Sequence, residues 1–351
     1  MIKRKGIWVA TPRTLEELDK SMDNLVRMNV DELYLLVKNS GGTLYPSKVC
    51  PQPKELKGKD LVTPVIRKAR SLGLKVHAWI VSLNNSNEEF IEKHRDWYVV
   101  NKLGERCTEK PPYVPHYKWL CPSRPEVREF LADVFLEVAE NFDVDGVHFD
   151  YIRLPDIILP AGIRPRYPGV PKEEVFKPQY DFCYCENCRR LFEEKYGVDP
   201  IKLEYSDPLY GVWFKWRTER ITEVVKYVYS RVKKYDPSLE VSAAVFATPN
   251  LAYKYVFQDW PTWGIDLYNP MIYHKYYEQD VEWIGTAVRE GVIRGVKVSA
   301  GILLGFMETK EQLSRAIEVA DENGAVGVTL FVYPPPRPEL IEWTHEVLKK
   351  Y

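Results

Sequence analysis

The sequence has no apolar run long enough to cross a membrane, because none reaches the roughly 18 uninterrupted residues that a transmembrane helix requires. It also has no excess of charge of one sign, since 49 lysines and arginines stand against 50 aspartates and glutamates, a net charge of -1. This balance gives no reason to expect nucleic acid or an anionic membrane as a partner. The N-terminal segment lacks the apolar core and small-residue cleavage site of a secretion signal. These absences predict a cytoplasmic protein.

Cysteine is scarce, with six among 351 residues, and in a cytoplasmic protein we expect reduced thiols or metal ligands rather than disulfides. Cys183, Cys185 and Cys188 lie within six residues, a spacing that suits one soft tetrahedral ion better than three unrelated thiols. A closed site needs a fourth ligand, for which Cys121 and Cys107 compete. Cys121 is favoured because it lies at the rim from which the loop of the other three emerges. Four thiolates leave no position for water, so the predicted zinc is structural, and no organic cofactor is expected.

Short apolar segments alternate with longer amphipathic segments along the whole chain. Strands are predicted at Gly6–Thr11, Glu32–Asn39, Lys75–Leu83, Gly146–Leu154, Val241–Thr248, Ile265–Tyr273, Lys297–Leu304 and Gly327–Tyr333. Eight strand–helix units in alternation predict an α/β fold, a single (β/α)₈ TIM barrel over residues 1–351. An open doubly wound sheet is disfavoured because no glycine-rich phosphate loop follows the first strand.

Two predicted connections are long, with roughly forty residues after strand three and roughly fifty after strand four. Both leave the C-terminal ends of strands, where the active sites of such barrels lie. At the end of the first connection, Ser123 and Glu126 have the spacing of a capping box and predict a helix start. We therefore expect these two connections to shape a binding cleft.

The fourth predicted strand carries the strongest candidate for catalysis. Side chains alternate along a strand, so His148 and Asp150 share the face directed at the barrel axis. A carboxylate beside an imidazole at this end of a barrel predicts a nucleophile or a general acid. The alternative is a structural ion pair of Asp150 with His148, Lys38 or Arg153.

Further side chains at strand ends are candidates for contacting a substrate in the cleft, and Trp79 is a candidate for stacking on a sugar ring. Aromatic faces serve both sugar stacking and core packing, and a lone inward histidine is more often a satisfied core group. The candidate substrate-binding residues are Lys38, His77, Trp79, His148, Arg153, Tyr273 and Tyr333.

Taken together, these segments resemble the glycosyl-hydrolase-like family 10 barrels over nearly the whole chain. The matching pieces are Gly6–Val9, Tyr45–Ser47, Gly73–Trp79, Pro122–Arg128, Asp145–Asp150, Gln258–Trp260, Gly264–Asp266 and Pro270–Tyr273. The resemblance implies a TIM barrel that hydrolyses glycosidic bonds in an oligo- or polysaccharide. Many members carry two adjacent aspartates in the fourth strand, whereas here Tyr151 follows Asp150.

The resemblance also bears on the two carboxyl groups that glycoside hydrolysis normally needs. The motif that ends in Asp150 is similar to that of the α-amylase family, whose last aspartate is the nucleophile. Asp259 matches the family pattern and is the candidate acid/base, with a helix N-cap as the equal alternative. Asp156, Glu278 and Glu308 lie near other strand ends and stay open as alternatives.

The segment from Cys183 to Cys188 is similar to the zinc segment of family 42 β-galactosidases, where a cysteine before a similar helix start completes the site. This similarity favours Cys121 as the fourth ligand. Three other functions stay open: a carbohydrate-binding barrel without catalysis, a transglycosidase, and a metal-dependent hydrolase with His77, His148 and Asp150 as ligands. The sugar, the linkage and the oligomeric state are not indicated by the sequence.

Overall fold

Eight parallel strands close into a barrel in a computed structural model that describes residues 2–351. The strands are β1 (Arg4–Val9), β2 (Glu32–Asn39), β4 (Lys75–Val81), β5 (Gly146–Asp150), β6 (Glu240–Phe246), β7 (Leu267–Met271), β8 (Ser299–Leu303) and β9 (Gly327–Tyr333), while the two-residue β3 (Gly42–Thr43) pairs antiparallel with the end of β2. The ring closes because β1 pairs with both β2 and β9. The predicted TIM barrel is confirmed.

Helices surround the barrel and fill the connections between strands. They are α1 (Leu15–Arg27), α2 (Val62–Ser71), α3 (Glu88–His94), α4 (Pro125–Asn141), α5 (Glu186–Tyr196), α6 (Pro208–Tyr235), α7 (Pro249–Val256), α8 (Trp283–Val292), α9 (Lys310–Glu322) and α10 (Glu339–Leu348). The short helices α3 and α5 belong to the two long connections, which leave β4 and β5. Among residues 2–351, no helix combines the length and the hydropathy that crossing a bilayer requires.

The alternation of side chains along β5 shows how the barrel is built. Val147 and Phe149 are fully buried on the outer face, where Phe149 packs on Phe135 of α4 with ring centroids 4.3 Å apart. Burying one such side chain stabilises the fold by about 1.5–3 kcal/mol. His148 and Asp150 occupy the inner face, as the strand period predicts.

The fourth barrel strand ends earlier than its sequence predicts. It stops at Asp150 rather than Leu154, because Tyr151 adopts a left-handed backbone with φ of 50°. Such a conformation is unusual for a bulky side chain and breaks the extended geometry of a strand. The predicted capping box at Ser123 is also wrong, since α4 begins after Arg124 and has no side-chain cap.

An ion cluster closes the N-terminal end of the barrel, and we call it the basal cluster: Glu32 and His77, which are buried, with Arg4 and Glu240, which are half-buried. The Arg4 guanidinium donates to Glu32 Oε1 at 2.7 Å and to Glu240 Oε2 at 2.6 Å. His77 Nε2 lies 3.2 Å from Glu32 Oε2. Hydrogen bonding by His77 and Arg4 outweighs the opposing effect of burial and lowers the pKa of Glu32 to about 2. Both carboxylates of the cluster therefore have cationic or hydrogen-bonding partners.

Candidate active site

A cavity of about 440 Å³ opens at the C-terminal end of the barrel strands. The residues of its wall are mainly aromatic: Trp79, Tyr113, Tyr117, Tyr151, Tyr167, Phe246, Tyr273, Tyr276, Tyr277 and Phe331. The connections that follow β4 and β5 supply much of this wall, as their length predicts. Two carboxyl groups line the cavity, those of Asp150 and Asp156. This combination of aromatic surface and few polar groups is typical of a small-molecule site.

Asp150 lies at the end of β5 and is only 6% exposed. Its Oδ2 accepts a hydrogen bond from Trp79 Nε1 at 2.8 Å, and its Oδ1 accepts one from the backbone N–H of Tyr151 at 2.7 Å. No ion pair with Asp150 is found among residues 2–351. Burial raises the pKa of Asp150, and the hydrogen bonds from Trp79 and Tyr151 oppose this effect only in part. A carboxyl in this environment can stay protonated at pH values above the usual range for aspartate.

Asp156 has the opposite environment. Its Oδ2 accepts a hydrogen bond from Arg153 Nη1 at 2.9 Å, and both side chains are almost fully buried. The Arg153 guanidinium also lies over the rings of Trp119 and Phe246, at 4.8 and 5.1 Å from their centroids. This ion pair lies in the cavity wall, so Asp156 has a cationic partner, whereas Asp150 has none in the part of the chain that the structure describes.

Three of the predicted substrate-binding residues line the cavity, namely Trp79, Arg153 and Tyr273. Lys38 does not line it, contrary to the prediction. A bulge in β2 shifts the register so that Lys38 pairs with the outward-facing Ile80, and its Nζ donates to the carbonyl of Val81 at 2.7 Å. The alternation of inward and outward side chains predicted for β2 thus breaks at the bulge, one residue before Lys38.

Tyr333 also faces away from the cavity, and the reason is again a bulge. The register between β1 and β9 shifts, so that Tyr333 pairs with the outward-facing Val9. Its hydroxyl accepts a hydrogen bond from Asn24 of α1 at 3.0 Å. Phe331 lines the cavity instead, a residue that the sequence interpretation did not select.

The two histidines on the barrel axis lie below the cavity. His148 is fully buried, accepts a hydrogen bond from Trp8 Nε1 at 3.0 Å and contacts Ser242 Oγ at 2.8 Å. Burial lowers the pKa of His148 well below its usual value. His77 belongs to the basal cluster at the other end. Neither histidine lines the cavity, and among residues 2–351 they form no metal-ligand group with Asp150.

The other candidate acids do not line the cavity. Asp259 occupies the N-cap position of a short 3₁₀ helix, makes no side-chain capping bond and is partly exposed. Glu278 is exposed, and Glu308 is exposed and paired with Lys275. Asp156, one of the alternatives that the sequence left open, is therefore the second carboxyl that the geometry brings into the cavity.

Several wall residues were missed because they lie in the long connections rather than on strands. Tyr113 and Tyr117 come from the connection after β4, and Tyr113 donates to the backbone carbonyl of Asp156 at 2.7 Å. The alternation of side chains along the predicted fourth strand places Tyr151 on the outer face, whereas in the structure it lines the cavity. A density of tyrosines in both connections was visible in the sequence and is the signal that could have selected them.

Four buried thiols meet where the connections after β4 and β5 approach each other. Ligand atoms of Cys121, Cys183, Cys185 and Cys188 all lie within 4.8 Å of one another. The Cys121 sulfur is 3.3 Å from that of Cys188 and 3.7 Å from that of Cys185. Cys107 is elsewhere, where its sulfur accepts from the backbone N–H of Trp119. The structure thus brings Cys121, and not Cys107, together with the other three thiols.

The model of the family described as glycosyl hydrolase-like 10 matches residues 3–310. The chain belongs to the glycosyl hydrolase-like 10 family. Relatives carry the same type of name: the glycosyl hydrolase DigH of Escherichia coli K12 is 28% identical over 186 residues, 42% of this chain and 41% of that protein. The glycosyl hydrolase YngK of Bacillus subtilis is 23% identical over 255 residues, 69% of this chain and 42% of that protein. The matched part thus spans less than half the length of these relatives.

Solved structures of glycosidases share the fold of this glycosyl hydrolase-like 10 member. Gan42B, a GH42 β-galactosidase from G. stearothermophilus, superposes with a TM-score of 0.65 at 10% identity, over 99% of this chain and 56% of that one. At this level of identity the likeness shows the barrel fold alone.

Proposed function

We propose that this protein hydrolyses O-glycosidic bonds of an oligo- or polysaccharide in the aromatic cavity, with Asp150 as a catalytic carboxyl. The observation that carries the proposal is the place of Asp150: a buried carboxyl that has no ion-pair partner within residues 2–351, at the C-terminal end of a barrel strand, in the wall of a cavity. Carboxyl groups at this end of TIM barrels are where such folds carry out chemistry. Membership of a glycosyl hydrolase-like family supports the same reaction class.

The contrast between the two cavity carboxyls supports distinct roles. Burial raises the pKa of Asp150, which favours the protonated form that a general acid requires. This role replaces the nucleophile or stabiliser suggested by the α-amylase-like motif. Asp156, paired with Arg153, supplies the second carboxyl in place of Asp259. The partly exposed rings of the wall, such as Tyr113, Tyr117 and Tyr276, would hold the sugar rings.

The test is the release of reducing ends from a panel of oligosaccharides by the wild type and three matched variants, Asp150→Asn, Asp156→Asn and Asp259→Asn. The proposal expects turnover of one substrate class, strong loss in the first two variants and wild-type turnover in the third. Loss of turnover in Asp259→Asn alone would restore the acid/base role that the sequence suggested. If the protein binds a sugar but neither the wild type nor any of the variants cleaves it, the barrel is a carbohydrate-binding protein without catalysis.

We also propose that the four-thiol cluster holds a structural zinc ion. Zinc–sulfur bonds of about 2.3 Å in a tetrahedron place the sulfur atoms about 3.8 Å apart, close to the spacing of Cys121 and Cys185. The hydroxyl of Ser123 lies 3.0 Å from the Cys121 sulfur and 2.8 Å from that of Cys188, where it can donate to a thiolate. Bound zinc would fasten the two long connections to each other beside the cavity.

Metal analysis of the purified protein tests the zinc proposal, with Cys185→Ser as the variant and Cys107→Ser as the matched control. One zinc per chain is expected in the wild type and the control, and much less in Cys185→Ser. Equal zinc in both variants, or none in the wild type, would show that the thiols only pack together.

A further inference from the structure

The structure assigns to Trp79 a role other than stacking on sugar: we propose that it is a positioning residue whose indole N–H orients the Asp150 carboxyl and stabilises the carboxylate left after proton donation. This inference rests on the proposed function for its catalytic consequence. Its geometric part, the bond between Trp79 and Asp150, stands independently of any activity.

Trp79 is placed so that the N–H edge of its indole ring, rather than the face of the ring, can act on other groups. It is only 8% exposed, and its ring meets that of Phe331 edge-on, at 6.3 Å between centroids and 73° between planes. A sugar platform must present an open ring face, and little of Trp79 is open. Its Nε1 instead lies 2.8 Å from Asp150 Oδ2, a distance typical of a hydrogen bond to a charged acceptor.

The barrel register explains why this bond forms. Trp79 of β4 pairs with His148 of β5, and Val81 pairs with Asp150, so Trp79 lies one inward-facing layer below Asp150 on the neighbouring strand. A tryptophan side chain is long enough to span that layer and reach the carboxyl from below. The other carboxyl oxygen is held by the backbone N–H of Tyr151, whose left-handed φ of 50° ends the strand at this point.

The two donors therefore hold opposite oxygens of one carboxyl and fix its plane. Of the interactions that oppose the effect of burial on the pKa of Asp150, the hydrogen bond from Trp79 is the largest, followed by the Tyr151 N–H and the charge of Arg153. A general acid needs such a fixed donor, because the carboxylate formed by proton donation would otherwise be buried without adequate stabilisation. Trp79 meets this need through its hydrogen bond to the carboxyl.

The kinetic test is Trp79→Phe, which keeps an aromatic ring and removes the N–H. We expect kcat to fall roughly 10- to 100-fold, the effect of losing a hydrogen bond to a charged group, with KM changed by less than about threefold. The alkaline limb of the pH–rate profile should move to higher pH, because loss of this bond raises the pKa of Asp150 further. If Trp79→Phe instead raises KM and leaves the alkaline limb in place, Trp79 acts as a sugar platform and the inference is overturned.

Phe331→Leu is the packing control. It removes the ring that touches Trp79 and keeps the indole N–H, so the alkaline limb should stay in place. If the alkaline limb moves as far in Phe331→Leu as in Trp79→Phe, the shift is an effect of packing and the positioning role is contradicted.

A measurement that needs no substrate separates this inference from the proposed function. The protein has ten tryptophans, and ¹⁵N–¹H spectra of their indoles can assign Trp79 by the signal lost in Trp79→Phe. That signal should titrate with pH in the wild type and stay fixed in Asp150→Asn. If it does so in a protein that cleaves no sugar, the proposed function fails while the bond between Trp79 and Asp150 stands. A signal that neither titrates nor responds to Asp150→Asn overturns the inference whatever the activity.

Discussion

The two ends of this barrel use similar residue types in opposite ways. At the N-terminal end, the carboxylates of Glu32 and Glu240 share the Arg4 guanidinium, and His77 completes the basal cluster. At the C-terminal end, Asp150 is buried, as Glu32 is, but it has hydrogen-bond donors and no ion-pair partner among residues 2–351. Carboxylates thus have a positively charged partner at one end of the barrel, whereas at the other end Asp150 is held by the hydrogen-bond donors of Trp79 and Tyr151.

This difference separates stability from chemistry. A buried carboxylate with a cationic partner is held ionised and resists change, whereas one without a partner keeps a raised pKa and can exchange a proton. In TIM barrels the N-terminal end generally serves stability and the C-terminal end serves function. The cavity at one end and the basal cluster at the other follow that division.

The largest expected effect is that of Asp150→Asn on turnover. Removing a general acid should lower kcat by about 100- to 10,000-fold. The folded state should be as stable as the wild type or more so at neutral pH, because a carboxyl with a raised folded-state pKa is costly to ionise once pH rises above its unfolded pKa. Kinetics and urea unfolding on the same samples check both parts, and a large loss of stability would mean that Asp150 is a structural charge.

Glu32→Gln should show the reverse pattern. Glu32→Gln removes the charge of one of the two carboxylates that share the Arg4 guanidinium and takes away the carboxylate that His77 contacts, while Glu240 still pairs with Arg4. Weakening these hydrogen bonds between charged groups should reduce the free energy of unfolding by about 1.5–3 kcal/mol. Because the basal cluster is distant from the cavity, kcat of the folded protein should change little. Denaturant unfolding and turnover at a temperature where the variant is folded provide the measurement. A catalytic loss without a stability loss would break the division between the two ends.

The acid dependence of stability sharpens the same comparison. The pKa of Glu32 is lowered from 4.5 to about 2 in the folded protein, so its contribution is fully present above pH 4.5 and is lost as pH falls from 4.5 towards 2. That loss amounts to about 3 kcal/mol. Unfolding free energies across this range should fall steeply in the wild type and less steeply in Glu32→Gln, and parallel curves would contradict the assigned partners.

Asp259→Asn should have the smallest effect. Asp259 is partly exposed, makes no capping bond and does not line the cavity. A surface change of this kind alters stability by about 0.5 kcal/mol or less, and turnover should stay at the wild-type level. Thermal unfolding and a kinetic assay suffice as the check.

The sequence predicted those parts of the molecule that follow from regular alternation. All eight barrel strands were located, and the structure places Asp150, Trp79 and Tyr273 in the wall of the cavity at the mouth of the barrel. Lys38 and Tyr333 were misplaced because a bulge adds one residue and reverses every later side chain on that strand. The regular alternation of side chains between the two faces of a strand does not reveal such a bulge in a single sequence.

The connections were harder to predict for a different reason. Their length indicated a cleft, but the conformation of an irregular segment is set by tertiary contacts rather than by its own periodicity. Tyr113, Tyr117 and Asp156 reach the cavity only because the connections fold back over the barrel. The cysteine cluster is the exception, because Cys121 was preferred to Cys107 from its place at the rim from which the loop of the other three emerges, and the structure brings the four thiols together.

The most direct test of the division between the two ends compares the turnover of Asp150→Asn and Glu32→Gln on one oligosaccharide, per folded molecule. The account predicts that Asp150→Asn is fully folded and nearly inactive, while Glu32→Gln is less stable and as active as the wild type wherever it is folded. If Asp150→Asn keeps wild-type turnover, the chemistry does not reside in this carboxyl and the account is wrong.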